Sequence, residues 1–474
     1  MDFVMIGHDL RYAVEQMLLT LFPDEKPVLK TVPGDTPCFV TELVESGGEA
    51  EARARFLSAR GEFSASRRVA LPEKEKKSAA QMLVKLAVYD AAISAGVAAP
   101  PWGALTGIRP AKLAAKRLAE GKTDAAEYLT ETYAVSPVRA ALAAECGAFS
   151  LAADASLSPG DVSLYVGIPF CPTRCAYCSF VSHSVEKSFK LVAPYLEALF
   201  GEIAETGERV AREGLRPVTL YIGGGTPTTL TAEQLAALAA KLRGSFDFSA
   251  MREFTVEAGR PDTITREKLL ALRESGVTRI SINPQSMDEN VLRAIGRAHS
   301  PEDVLAAFAL AREVGFDCIN ADLIAGLPGD SAAGFARSLD AMLGLGAENV
   351  TVHTLARKRA SRMNLEKTPV PGGEVVGEML DLARTELYGR GYRPYYLYRQ
   401  KFTAGGFENV GWSLPGKENL YNVCIMEELH SIISMGAGGV TKLVNRETGL
   451  ITRSFNKKYP YEYIAERSRE NGPK

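Results

Sequence analysis

Between residues 162 and 357 six short runs rich in β-branched and aliphatic residues follow one another: VSLYVGIPF, PVTLYIGGG, EFTVEAG, TRISINPQS, FDCINADLIAGLP and ENVTVHTLAR. Between successive runs lie helical patterns such as APYLEALFGEIAETGERVAREG and PEDVLAAFALAREVG. Strict alternation of strand and helix leaves little choice of fold: the strands must run parallel, joined by right-handed crossovers. The nearly unbroken apolar character of the runs predicts burial on both faces. In each unit the glycine-rich, polar or cysteine-bearing residues follow the strand, so the six loops are expected to converge on one mouth at the carboxyl ends of the strands. Six units fall short of the eightfold barrel, which predicts an α/β fold with a partial (β/α)6 barrel open to a large substrate.

The barrel is expected over residues 156–363. Residues 1–155 read as an α+β domain: PCFVTELVES, EARARFLSAR and EFSASRRVAL alternate as strands, and KKSAAQMLVKLAVYDAAISAG keeps helical spacing until Gly96. Residues 364–474 read as a C-terminal α+β extension that covers the substrate, with the aromatic GYRPYYLYRQKF and the glycine-rich SMGAGGV. Hydrophobic residues at 46% and charged ones at 24% are the balance of a soluble globular enzyme. A formal net charge of -2 gives no global pull toward nucleic acid or acidic lipid, so an anionic partner must be held by a local patch. No apolar run approaches the roughly 18 to 20 residues of a membrane span, and MDFVMIGHDLRY is not a secretory signal, so a cytoplasmic protein is expected.

Three of the seven cysteines, Cys171, Cys175 and Cys178, fall within YVGIPFCPTRCAYCSF. The other four, Cys38, Cys146, Cys318 and Cys424, stand singly among apolar neighbours and read as small buried hydrophobes. A closed structural zinc site wants four ligands, usually as two separated pairs, and here His183 is the only easy fourth. A redox dithiol needs only two cysteines. Pro172, Thr173 and Arg174 make the stretch a loop, which argues against chance clustering in a core. A [4Fe-4S] cubane suits the triplet better, because each thiolate can take one iron and leave the fourth open to a small molecule.

The C-x3-C-x2-C spacing, Tyr177 before the last cysteine, GGGTP at Gly223 to Pro227 and the alternating strands together resemble the radical S-adenosylmethionine (SAM) enzymes. YVGIPFC, IGGGTP, VEAGRPDTIT, RISINPQSMDENVLRAIGRAHS and DLIAGLPGD narrow the likeness to the oxygen-independent coproporphyrinogen III dehydrogenases and the related heme chaperones. LTGIRPAKL, YYLYRQK and GKENLYN are similar to the longer, HemZ-type branch. The resemblance implies a [4Fe-4S] cluster on the three cysteines and SAM as cofactor. It implies that Gly223, Gly224, Gly225 and Thr226 offer backbone groups to the amino end of SAM, where a Cβ would obstruct the approach. Glu257 and Arg297 would bind the amino and carboxylate ends of its methionine part, and Gln285 and Asp322 its ribose hydroxyls. Tyr165 would lie beside cluster and SAM.

The activity implied is the conversion of two propionates of coproporphyrinogen III to vinyl groups, begun by a 5'-deoxyadenosyl radical, with an electron donor such as flavodoxin or ferredoxin. A tetrapyrrole bearing four carboxylates needs a cationic lining. Arg357, Lys358, Arg359 and Arg362, or Arg399 with Lys401, are the candidates, with Tyr395, Tyr396 and Tyr398 available to stack on the macrocycle. Two positions depart from the dehydrogenase pattern: Phe180 stands where some members have a fourth cysteine, and Gly167 where they have a histidine. These changes bring the loop closer to the heme chaperones. A heme chaperone, using His183, His299, His353, His430 or a spare cysteine as axial ligand, therefore stays open, as does another radical enzyme acting on heme, such as a heme-opening methyltransferase.

Overall fold

The computed structural model describes residues 1–34, 37–71, 76–178, 183–184, 189–358 and 361–470. The chain divides into two compact units, Met1–Ala144 with Arg399–Phe407, and Glu145–Tyr398 with Glu408–Lys474.

The first unit holds a five-stranded sheet of β1 (Asp2–Ile6), β2 (Val28–Leu29), β3 (Cys38–Ser46), β4 (Glu49–Ser58) and β5 (Gly61–Ala70), in the order β2-β1-β3-β4-β5. In β4 the residues Ala50, Ala52, Ala54 and Phe56 are buried while Arg53 and Arg55 between them are exposed, the period of two of a half-buried strand. The buried face shares one core with the helices Arg11–Leu21 and Lys76–Ser94, through Val14, Met17, Leu18, Leu83 and Val84.

The second unit is built on one eleven-stranded sheet. Its strands are β6 (Asp161–Ile168), β9 (Arg216–Gly224), β10 (Glu253–Glu257), β11 (Arg279–Ser281), β12 (Ile319–Ala325), β13 (Asn349–Thr354), β14 (Arg393–Arg399), β15 (Glu408–Ser413), β16 (Ser431–Met435), β17 (Val440–Val444) and β18 (Ile451–Phe455). A separate short pair, β7 (Phe170–Cys171) with β8 (His183–Ser184), flanks the cysteine loop. The order β14-β15-β13-β12-β11-β10-β9-β6-β16-β17-β18 places the six expected strands side by side, and they run parallel. The sheet has two free ends, so the barrel is open. Helices cross over between the strands, and their ends carry recognisable signals. Thr231 with Gln234 and Ser300 with Asp303 form capping boxes at the starts of Ala232–Ser245 and Pro301–Val314, and Gly315 closes the latter at φ +96°.

The C-terminal region contributes strands to both ends of this sheet. β16 pairs in parallel with β6, and β15 pairs antiparallel with β13. Burial on both faces is observed, but the inner face is polar. Ser163 and Thr219 are hydrogen-bonded at 2.6 Å, Asn320 donates to Ser281 at 2.7 Å, and Thr351 donates to Asn320 at 3.1 Å. Against the amino ends of the strands lies the helix Leu420–Glu427. Glu253 accepts from the amides of Leu420 and Tyr421, Asn419 donates to Thr255, and Arg279 donates to the carbonyls of Lys417 and Glu418. A carboxylate at a helix amino end is favoured by the helix dipole.

Candidate functional site

The cysteine loop leaves the carboxyl end of β6 and is tied to neighbouring strand ends. Thr226 donates its amide to Phe170 O at 2.7 Å, Ala176 its amide to Ile295 O at 2.9 Å, and Met363 its amide to Ala176 O at 3.0 Å. Thr226 Oγ1 lies 3.5 Å from Cys171 Sγ. Cys171, Cys175 and Cys178 are half-buried, whereas Cys38, Cys146, Cys318 and Cys424 are buried as the sequence suggests. Among the described residues no three His, Cys, Asp or Glu side chains gather as ligands of a single metal ion. A cubane asks for something else, one thiolate at each of three separate iron corners.

Gly223, Gly224 and Gly225 are demanded by their surroundings. Gly224 has φ +110°, and a Cβ at Gly223 would come 3.0 Å from the Glu257 carboxyl carbon. A Cβ at Gly225 would strike the carbonyl of Phe170. The Gly225 amide is taken by Ile168 O. An ammonium needs acceptors, so it is the carbonyls of this run that suit an amino group.

Glu257 ends β10 with its carboxylate held by the Tyr221 hydroxyl at 2.6 Å. Burial pushes its pKa up to about 7, helped by the negative charge of Asp322 and opposed by the Tyr221 hydrogen bond. Gln285 has φ +69°, a left-handed conformation costing a non-glycine residue about 1 to 2 kcal/mol. Its amide donates to Asp322 O at 2.9 Å, and its buried Oε1 has no partner among the described residues. Asp322 accepts from Asn320 at 2.8 Å and stands 3.6 Å from His353 Nε2. Although burial opposes ionisation, His353 and Asn320 hold the Asp322 carboxyl below the ordinary carboxylate range. Arg297 donates to Gly259 O and Asn283 O through Nη1 and to the Tyr177 hydroxyl through Nη2. Its Nε is buried without a partner among the described residues. A strained glutamine and two orphaned polar atoms in one neighbourhood are features a polar ligand would resolve.

The other expected residues have the following surroundings. Tyr165 lies in a stack with Tyr221 and Tyr421, ring centroids 6.2 and 6.3 Å away, on the inner face below the strand ends. Arg399, proposed from sequence as a substrate contact, is a structural tie of the first unit. Its guanidinium donates to the carbonyls of Leu105, Gly107 and Gly406 and lies 5.4 Å from the Trp102 ring. Main-chain carbonyls buried in a loop need donors, and the fork of an arginine supplies them. Lys401, also in that unit, donates to the Tyr12 hydroxyl at 3.0 Å. Tyr395 and Tyr396 are core residues, while Tyr398 lies half-buried with its hydroxyl 3.4 Å from His353 Nδ1. Arg362 pairs with Glu366 at 3.7 Å, and Arg357 keeps a buried Nε without a partner among the described residues. His299 and His430 are buried, and burial pulls both down to about 4. Phe180, Arg359 and the side chain of His183 lie outside the described residues.

Tyr221 and Arg260 escaped the sequence reading, and His353, named there only as an axial ligand for heme, stands beside Asp322. Tyr221 and His353 share strand parity with residues assigned to SAM: Tyr221 is two before Gly223, and His353 is paired through the sheet beside Asp322. Alternation along a strand was the signal available.

The model of the Radical SAM superfamily matches residues 165–342. The chain is 45% identical over 369 residues to the oxygen-independent coproporphyrinogen-III oxidase-like protein HemZ of Bacillus subtilis (strain 168), covering 76% of this chain and 74% of that one. It is 35% identical to the heme chaperone HemW of the same organism, over 52% of this chain and 65% of that one. Among solved structures, coproporphyrinogen III oxidase HemN of Escherichia coli, described as a radical SAM enzyme, matches with TM-score 0.54 at 26% identity, covering 68% of this chain and 72% of that one.

Proposed function

Because the chain belongs to the radical SAM superfamily, in its HemZ-like branch, we propose that it catalyses the oxygen-independent oxidative decarboxylation of coproporphyrinogen III propionates to vinyl groups. Membership implies a [4Fe-4S] cluster and SAM, and the residues at the strand ends suit both. When bound, that pair supplies reductive cleavage of the sulfonium and with it a radical able to remove a hydrogen atom. In this reading Cys171, Cys175 and Cys178 hold three irons. Glu257 takes the ammonium of SAM, Gln285 Oε1 and Asp322 take the ribose hydroxyls, and Arg297 Nε remains for the carboxylate.

Among the described residues just past β13, Arg357 and Lys358 would meet substrate carboxylates. The tyrosine stack and the helix Leu420–Glu427 fill the inner face below Glu257, which keeps water from the site on that side. Each propionate gives up one hydrogen atom, carbon dioxide and one electron. A flavodoxin or ferredoxin supplies the electron for SAM, and a one-electron acceptor takes the last. The observation that carries this reading is the 45% identity to HemZ, which extends over most of the chain.

The likeness to HemW favours a second reading, a heme-binding chaperone. Compared with the buried His299 and His430, His353 combines partial exposure with a place at a strand carboxyl end. Anoxic incubation of the reconstituted protein with reductant, SAM and coproporphyrinogen III separates the two. Vinyl product together with 5'-deoxyadenosine is expected; tight heme uptake without turnover would replace the first reading by the second.

A further inference from the structure

The stretch between the first two cysteines is gripped by a residue from another strand end. Arg260 lies three residues past Glu257, in the turn that leaves β10, and is only 3% exposed. A guanidinium so deeply buried has to place five donor protons. Nε and Nη2 form a fork on the Asp262 carboxylate at 3.0 and 2.8 Å. Nη1 turns the other way and donates to the Thr173 hydroxyl at 2.8 Å and to the Thr173 carbonyl at 3.3 Å. The Thr173 hydroxyl in turn donates to Gly296 O at 3.4 Å.

Thr173 stands midway between Cys171 and Cys175. Between Cys171 and Cys175 the loop belongs to no strand, so ordering each of its residues costs about 1 to 2 kcal/mol of backbone entropy that outside contacts have to offset. The contact Arg260 makes is chemically specific: it captures both the main chain and the side chain of one residue, and its own orientation is set by the bidentate pair with Asp262. Asp262 also balances its charge, so the fork brings geometry to the loop with little net field.

We infer that Arg260 is a positioning residue for the metal cluster: anchored on Asp262, it fixes the backbone between Cys171 and Cys175 so that both thiolates meet the same cluster. The inference rests on the reading of the three cysteines as cluster ligands. Groups that orient metal ligands from outside typically change metal affinity by about 10- to 100-fold when removed, and uncompensated charge near an iron-sulfur cluster moves its potential.

The test uses the full chain, purified and reconstituted without oxygen, as wild type, Arg260→Met, Arg260→Lys, Asp262→Asn and Thr173→Val. Iron and sulfide per chain, the rate of bleaching by a chelator, the midpoint potential and the thermal melt are read for each. Arg260→Met is expected to lose its cluster to the chelator about tenfold faster than wild type. Arg260→Lys, with the charge but not the fork, is expected to follow it. Thr173→Val, which leaves β10 untouched and reports on the contact even if an Arg260 variant melts early, is expected to shift the same way by less. Asp262→Asn should move the potential upward, because the Arg260 charge is no longer balanced. Wild type devoid of iron and sulfide would overturn the cluster reading itself. A loaded wild type beside Arg260→Met and Thr173→Val of equal iron content and equal chelator resistance would overturn this inference alone.

Discussion

Glu257 shows how burial turns an ordinary carboxyl into a group that responds near neutral pH. Its ordinary pKa of 4.5 is raised to about 7 in the folded chain, so between those values the folded state binds more protons than the unfolded one. The sign follows: this residue's contribution to stability declines as pH rises across that window. An ammonium ligand needs the ionised form, so the affinity for SAM should rise, by roughly tenfold, as pH goes from about 6 to about 8. Calorimetry on the wild type and on Glu257→Gln checks this; the same pH dependence in both proteins would place the titrating group elsewhere. Arg399 carries the converse lesson. Beside three tyrosines and a lysine it reads as a carboxylate clamp, yet its partners are carbonyls, those of Leu105 and Gly107 almost three hundred positions away in the chain and that of Gly406 nearby. Charge is visible in a sequence, whereas the acceptor that neutralises its donors is a matter of contact.

At the scale of elements, the end of β9 and the start of the cysteine loop are one piece of geometry. Gly225→Ala would drive a methyl group into the Phe170 carbonyl, a backbone atom that cannot rotate away. A loss of roughly 2 to 4 kcal/mol in denaturant unfolding is expected, together with reduced iron uptake. Gly244→Ala, inside the helix Ala232–Ser245 with no atom beyond that helix's own backbone within 4 Å of the new methyl, should instead stabilise by about 0.5 to 1 kcal/mol. Equal effects at the two positions would refute the steric account. The strands were legible as elements because their apolar runs and glycine-marked ends are local. Their inner face was not: Ser163, Thr219, Ser281, Asn320 and Thr351 look like isolated polar interruptions until the sheet lines them up in hydrogen-bonded contact.

The second unit as a whole is held from its far end. Glu202, on the helix Val192–Arg212, accepts from the Gly436 amide at 2.7 Å, from Asn456 at 2.7 Å and from the Tyr463 hydroxyl at 2.6 Å. Tyr195, on the same helix, donates to Gly167 O at 2.5 Å and accepts from the Ala437 amide at 2.9 Å. Residues 436–463 thereby brace β6 at the point where the cysteine loop departs. A chain ending at Phe455 loses two of the three donors to Glu202 along with the buried Tyr463, and is expected to melt several degrees lower and to hold its cluster less firmly. An unchanged melt and an unchanged iron content would show that this brace is dispensable. The order of residues by itself determined the alternation of strand and helix, the glycine turns and the cysteine spacing, since each depends on neighbours a few positions apart. Only the tertiary structure decided that the C-terminal strands join both edges of the barrel sheet, that Tyr221 supports Glu257, and that Arg260 holds Thr173. Those pairings join residues tens to hundreds of positions apart, and their energy comes from burial and donor geometry that exist only once the chain has closed on itself.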